Sequence, residues 1–124
     1  MPRSVIVVSD DPNLFESVRA TLRSDSRFID AGDGVHCDGS VVPLTNIYPV
    51  EMTPAEWDGW ESGDRQMSDP WSMSALILEC RSPTWVAEVG TLLAQGLERP
   101  VWFVDSASTT WPADRVDPDH LALA

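Results

Sequence analysis

Four carboxylates stand where α/β proteins keep their chemistry. Asp10 and Asp11 follow the apolar run Val5 to Val8, Glu79 closes the run Ala75 to Leu78, and Asp105 follows Val101 to Val104. Acids gathered at strand ends can divide acid and base roles between them when their surroundings push their pKa values apart. Glu79 and Asp105, ending two strands expected to be neighbours, form the best catalytic pair on offer. His36, Cys37, Cys80 and His120 are the residue types of a zinc site. Their spacing argues against one, because adjacent His36 and Cys37 cannot easily share a tetrahedral centre and no CxxC or HxxxH pair is present. A glycine-rich phosphate loop, a GxSxG elbow and an HExxH helix are also missing. Cys80 or Ser82 as a nucleophile needs His36 or His120 carried to it by folding, and nothing in the spacing arranges that. The expectation is no metal and no cofactor.

A second constellation points to binding rather than catalysis. From Glu51 to Trp71 the chain carries Glu51, Glu56, Asp58, Glu61, Asp64 and Asp69 against Arg65 alone, interleaved with Trp57, Trp60 and Trp71. Thr53 and Pro54 open a short helix by cap and proline, and Glu56 completes a capping box. Trp57 and Trp60, three apart, share a face of that helix. Aromatics supply the contact area of binding hot spots and acids steer a basic partner toward them. The candidate partner-binding residues are Glu56, Trp57, Asp58, Trp60, Glu61, Asp64 and Trp71. The nearly apolar-free run from Glu61 to about Pro70 is expected to be a mobile acidic loop.

The elements that must position these groups are legible around Ser74 to Asp105. Ala75 to Leu78 and Val101 to Val104 read as strands covered on both faces. Between them Ser82 is a natural N-cap and Pro83 fits the first helical position. Trp85, Val89, Leu92 and Leu93 give that helix one apolar face, and Gly96 with Pro100 stops it. The pattern is a βαβ unit. VIVVSDDP near the start aligns with LILECRSP at a constant offset, so Val5 matches Leu76, Pro12 matches Pro83 and Leu22 matches Leu93. Asp11 and Pro12 repeat the cap-and-proline device ahead of Leu14, Phe15, Val18 and Leu22. From Arg27 to Val50 the pattern turns to extended pieces broken at Asp33-Gly34 and Asp38-Gly39, a β-meander. Pro43 and Pro49 suit a sheet edge. The whole predicts one α/β domain over residues 1–124. Its sheet is mixed, of about five strands, with two main helices packed on it, plus the meander and a short third helix.

Composition narrows the partners. The 124 residues carry a net charge of −12, with a pI near 4.2. Such a field repels nucleic acid and anionic membranes and attracts basic proteins. All eight basic residues are arginine, so lysine-dependent chemistry is excluded. Two cysteines far apart do not make a disulfide framework. The opening MPRSVIVVSDD has too short an apolar run for a secretory signal, and no stretch is long enough to span a membrane, so the expected address is cytoplasmic.

Two resemblances follow. VIVVSDDPNLFESVRATL resembles the receiver domains of two-component signalling, which implies a magnesium-binding role for Asp10 and Asp11. The chain departs from that pattern where Glu79-Cys80 stands in place of the phosphoacceptor aspartate, and the family's lysine has no counterpart. Phosphoacceptance is therefore not expected. In general character the chain resembles the small acidic immunity proteins with which bacteria neutralise toxin domains: it is small and strongly acidic, with an aromatic-acidic segment and no persuasive catalytic set. That resemblance implies a protein-binding inhibitor whose partner is basic around its active site. The alternatives are a small enzyme built on Glu79 and Asp105, or a degenerate receiver-like signalling module.

Overall fold

The structure, a computed structural model, describes residues 3–50, 74–107 and 109–123. The expected third helix and the acidic loop lie outside the described residues. In chain order the elements are β1 (Ser4–Ser9), α1 (Leu14–Arg23), β2 (Ile29–Asp30), β3 (Val35–Cys37), β4 (Thr45–Val50) and β5 (Ser74–Cys80). They are followed by α2 (Pro83–Gly96), β6 (Trp102–Val104), β7 (Thr110–Pro112) and a 3-10 turn at Ala113–Arg115. The fold is α/β, with a seven-stranded sheet among the described residues in the order β2-β3-β4-β5-β1-β6-β7.

Every strand pairing among the described residues is antiparallel. This corrects the expectation of a mixed sheet of about five strands. β5 and β6 do run in the same direction on either side of α2, but β1 lies between them and pairs with both. The physical reason for the misreading is that β1 and β5 are buried on both faces. Val5, Val7, Leu76 and Leu78 join the helix-side core, while Ile6, Val8 and Ala75 join a second cluster with Trp102, Val50 and Val104. Two-sided burial gives the continuous apolar run usual in parallel strands, and here it arises in the middle of an antiparallel sheet.

Both helices pack on one face. Leu14, Val18 and Leu22 of α1 and Trp85, Val86, Val89 and Leu93 of α2 share a core with Val5, Val7, Ile47, Leu76, Leu78 and Phe103. The α2 start is as its sequence predicts: Ser82 Oγ accepts the Trp85 N–H at 3.3 Å and Pro83 is the first helical residue. At α1 the expected cap-and-proline start is not found: the N-cap is Asn13, which makes no side-chain cap bond. Asp11 accepts from the Asn13 N–H and the Ser17 hydroxyl, both at 2.8 Å, and the helix begins at Leu14, after Pro12. Gly96 is the last residue of α2 and its role is close approach, since a Cβ there would collide with the Thr21 side chain on α1.

The meander β2-β3-β4 forms one side of the sheet and β2 is an edge, as the turns suggest. Pro49 nevertheless sits in β4, an interior strand. It is tolerated because the β3 pairing stops opposite Ile47 and leaves that flank of Pro49 unpaired among the described residues. Gly39 has the positive φ expected of its turn, whereas in the other turn the left-handed residue is Gly32 rather than Gly34. At the C-terminal end Leu121 is buried and Ala122 accepts from the Ser106 N–H at 3.0 Å, so this stretch docks without forming a strand or helix.

Candidate functional site

Antiparallel pairing decides where the strand-end acids go. Val8 stands opposite both Ala75 and Trp102, so Asp10 and Asp11 emerge where β5 and β6 begin. Glu79 stands opposite Ser4, and Asp105 follows Val104, which stands opposite Ile6. The four carboxylates are therefore divided between two ends of the sheet. A parallel sheet would have gathered them at one.

Each acid also has local partners. The Asn13 N–H, aided by the Ser17 hydroxyl, holds Asp11 below the usual carboxylate range. Asp10 faces Arg99 at 3.6 Å. Asp105 is buried at 6% exposure. Its Oδ1 accepts the N–H groups of Ala107 and Thr109, both at 2.9 Å, and its Oδ2 accepts Trp111 Nε1–H at 3.0 Å and the Ala122 N–H at 3.1 Å. Four donors fill its lone pairs and tie the β6–β7 connection to the C-terminal residues, which is the work of a structural carboxylate. Glu79 alternates with Leu78 and Cys80 of the helix-side core and so lies on the other face. There it lies near the Tyr48 hydroxyl, whose pKa the Glu79 carboxylate raises. With β1 between their strands, Glu79 and Asp105 do not come together as a pair.

The thiols and imidazoles are separated too. Cys37 and Cys80 both pair with Thr45, one on each side. Two strand spacings, about 10 Å, are too far for a disulfide, and both thiols are free and buried. Burial pushes the Cys37 thiol up to about 11. Between them Thr45 Oγ1 accepts Trp85 Nε1–H at 2.8 Å and donates to the Pro43 carbonyl at 2.8 Å. Phe28 stacks on Trp85 at 5.9 Å, and Arg27, paired with Asp25, lies over the same ring at 5.0 Å. Trp85 is thus a core anchor with its one polar atom satisfied. His36 lies on the sheet face opposite Cys37, and His120 is exposed beside Asp117 at 2.6 Å. Among the described residues no three His, Cys, Asp or Glu side chains gather closely enough to hold a metal ion.

The site the sequence did not reveal is a cavity of about 830 Å³ where β1 begins and β5 ends. Arg3 and Arg81 line it together with Pro43, Leu44, Asn46 and Glu79. These arginines are far apart in sequence. They meet because Cys80 donates its N–H to the Arg3 carbonyl at 2.9 Å, extending the β1–β5 ladder by one residue. The only signal available was two arginines flanking apolar strands in an acidic chain. Glu56, Trp57, Asp58, Trp60, Glu61, Asp64 and Trp71, the candidates for partner contact, lie outside the described residues.

No described helix is long and apolar enough to cross a membrane. Comparison with protein-family models, with curated proteins and with solved structures finds no match to this chain.

Proposed function

We propose that this chain is a protein-binding inhibitor of the immunity type, which neutralises a toxin domain in the cytoplasm by laying an acidic, aromatic surface over its basic active site. The observation that carries the reading is the charge, −12 with no lysine. Four of its arginines do little to offset that field outward. Arg19 and Arg23 are held by Asp30, Arg27 by Asp25, and Arg99 faces Asp10. What remains is a surplus of carboxylates, which suits steering toward a basic protein and opposes nucleic acid. The commitment of Asp105 to four donors, and its separation from Glu79, weigh against the enzyme reading.

In this proposal Trp57, Trp60 and Trp71 are the contact anchors, and Glu56, Asp58, Glu61 and Asp64 are the charges around them. The test is co-expression with a basic domain encoded beside this chain, followed by purification and assay of that domain's activity. The expected result is a stoichiometric complex in which the activity is blocked, weakened by about 2 kcal/mol or more in Trp60→Ala, which should still fold cooperatively. Full activity in the presence of excess inhibitor, or a Trp60→Ala chain that no longer folds, would overturn the reading.

A further inference from the structure

We infer that the cavity at the β1–β5 sheet end is a binding site for a small monocarboxylate with an apolar body. The inference goes beyond the partner-binding reading and does not depend on it. Arg3 and Arg81 line the same cavity, and both are exposed. The guanidiniums at positions 19, 23, 27 and 99 face carboxylates, whereas Arg3 and Arg81, like Arg115 elsewhere on the surface, have no ion pair or side-chain hydrogen bond among the described residues. The one acid among the lining residues, Glu79, makes no ion pair with either arginine among the described residues. Two guanidinium-bearing residues lining one cavity, with no hydrogen-bond acceptor for either among the described residues, are donors whose planar geometry a carboxylate matches.

The remaining wall selects the rest of the ligand. Leu44 is 62% exposed, one of the few large apolar side chains left so, and with Pro43 and the arginine stems it offers an apolar surface. The cavity volume is in the range that takes small organic ligands. The net charge sets the upper limit on anionic character. A protein at −12 repels polyanions at a distance, so nucleic acid and polyphosphates are disfavoured, while a single carboxylate is held by the local arginines at little long-range cost. Asn46 supplies a neutral amide to the same wall and does not oppose the anion.

The experiment is an NMR titration of the full chain with hexanoate and, separately, with its uncharged counterpart 1-hexanol. Hexanoate should shift the amides of Leu44, Asn46, Arg81 and Ser82 saturably, with affinity in the millimolar range or tighter and about tenfold above that of hexanol. Arg3→Ala and Arg81→Ala should each lower hexanoate affinity by about tenfold and leave hexanol unchanged. Arg115→Ala, remote from this cavity, should alter neither. Both arginines are exposed, so their removal leaves the core intact, and an unchanged amide spectrum elsewhere confirms folding. Equal affinity for hexanoate and hexanol, hexanoate binding unaffected in both arginine variants, or no saturable shift at about 10 mM would overturn the inference.

Discussion

Ile6 stands directly opposite Ile77 in the antiparallel ladder between β1 and β5, and each holds the same place in its own strand-helix unit. The pairs Val5 with Leu78 and Val7 with Leu76 exchange under the same correspondence, so the units meet about a local two-fold axis through the Ile6–Ile77 pair. The correspondence continues into the helices. Leu14 matches Trp85, Val18 matches Val89 and Leu22 matches Leu93, and all six are buried. It also continues outward, where Tyr48 stands opposite Ile77 and Val104 opposite Ile6. The centre of the fold is thus two similar strand-helix units back to back, with the meander added on one side and the β6–β7 hairpin on the other.

Equivalent positions should carry equivalent energies. Leu22 is 1% exposed and Leu93 is fully buried. Truncating either to alanine removes the same methyl groups from the same core and should destabilise by about 2–5 kcal/mol, with the two values close to each other. Urea unfolding of Leu22→Ala and Leu93→Ala measures this. A large loss for one and a negligible loss for the other would show that only one unit carries the core.

Asp105 gives a second prediction. Asp105→Ala strands the donors of Ala107, Thr109, Trp111 and Ala122 at a site that is nearly closed to water. The expected loss is about 2–4 kcal/mol, mostly from unsatisfied groups, and Asp105→Asn should recover part of it by keeping one acceptor oxygen. Chemical denaturation compares the two variants, and Trp111 fluorescence reports the local environment. A loss within experimental error in Asp105→Ala would free this carboxylate for another role.

The pH dependence rests on a surface network. Arg23, the Gly32 N–H and Arg19 hold the Asp30 carboxyl well below the usual carboxylate range. A folded pKa below the unfolded value means stability that is fully present above about pH 4 and lost as pH falls through the folded value. Asp11, Asp25, Asp38 and Asp117 are shifted in the same direction. The urea midpoint of the unaltered chain should therefore fall on acidification below about pH 4. Asp30→Asn should show a shallower fall and meet the unaltered chain at the acid end. Parallel curves at all pH values would remove Asp30 from the account.

Much of this architecture was legible because local rules and the final fold agree. Ser82 and Pro83 start α2, Val18 and Leu22 face the core, and Asp38-Gly39 turns the chain at a positive φ. Strand direction was not legible. Two-sided burial of Val7, Val8, Leu76 and Leu78 writes the same apolar run whether neighbours are parallel or antiparallel, and only the long-range insertion of β1 between β5 and β6 settles it. The candidate acids shared that fate. Glu79 and Asp105 could be recognised as strand-end carboxylates, but their separation follows from pairing, and three of the four donors on Asp105 are backbone N–H groups that carry no sequence mark, the fourth being the Trp111 indole. Arg3 and Arg81 became neighbours by the same pairing.

The measurement that bears most directly on the proposed function is the association rate constant with the basic partner domain as ionic strength is raised. Steering by a −12 surface predicts fast association at low salt and a steep fall as the Debye length shrinks. Neutralising Asp58 and Glu61 together should slow association far more than it speeds dissociation. An association rate independent of salt and unchanged by Asp58→Asn with Glu61→Gln would contradict the account.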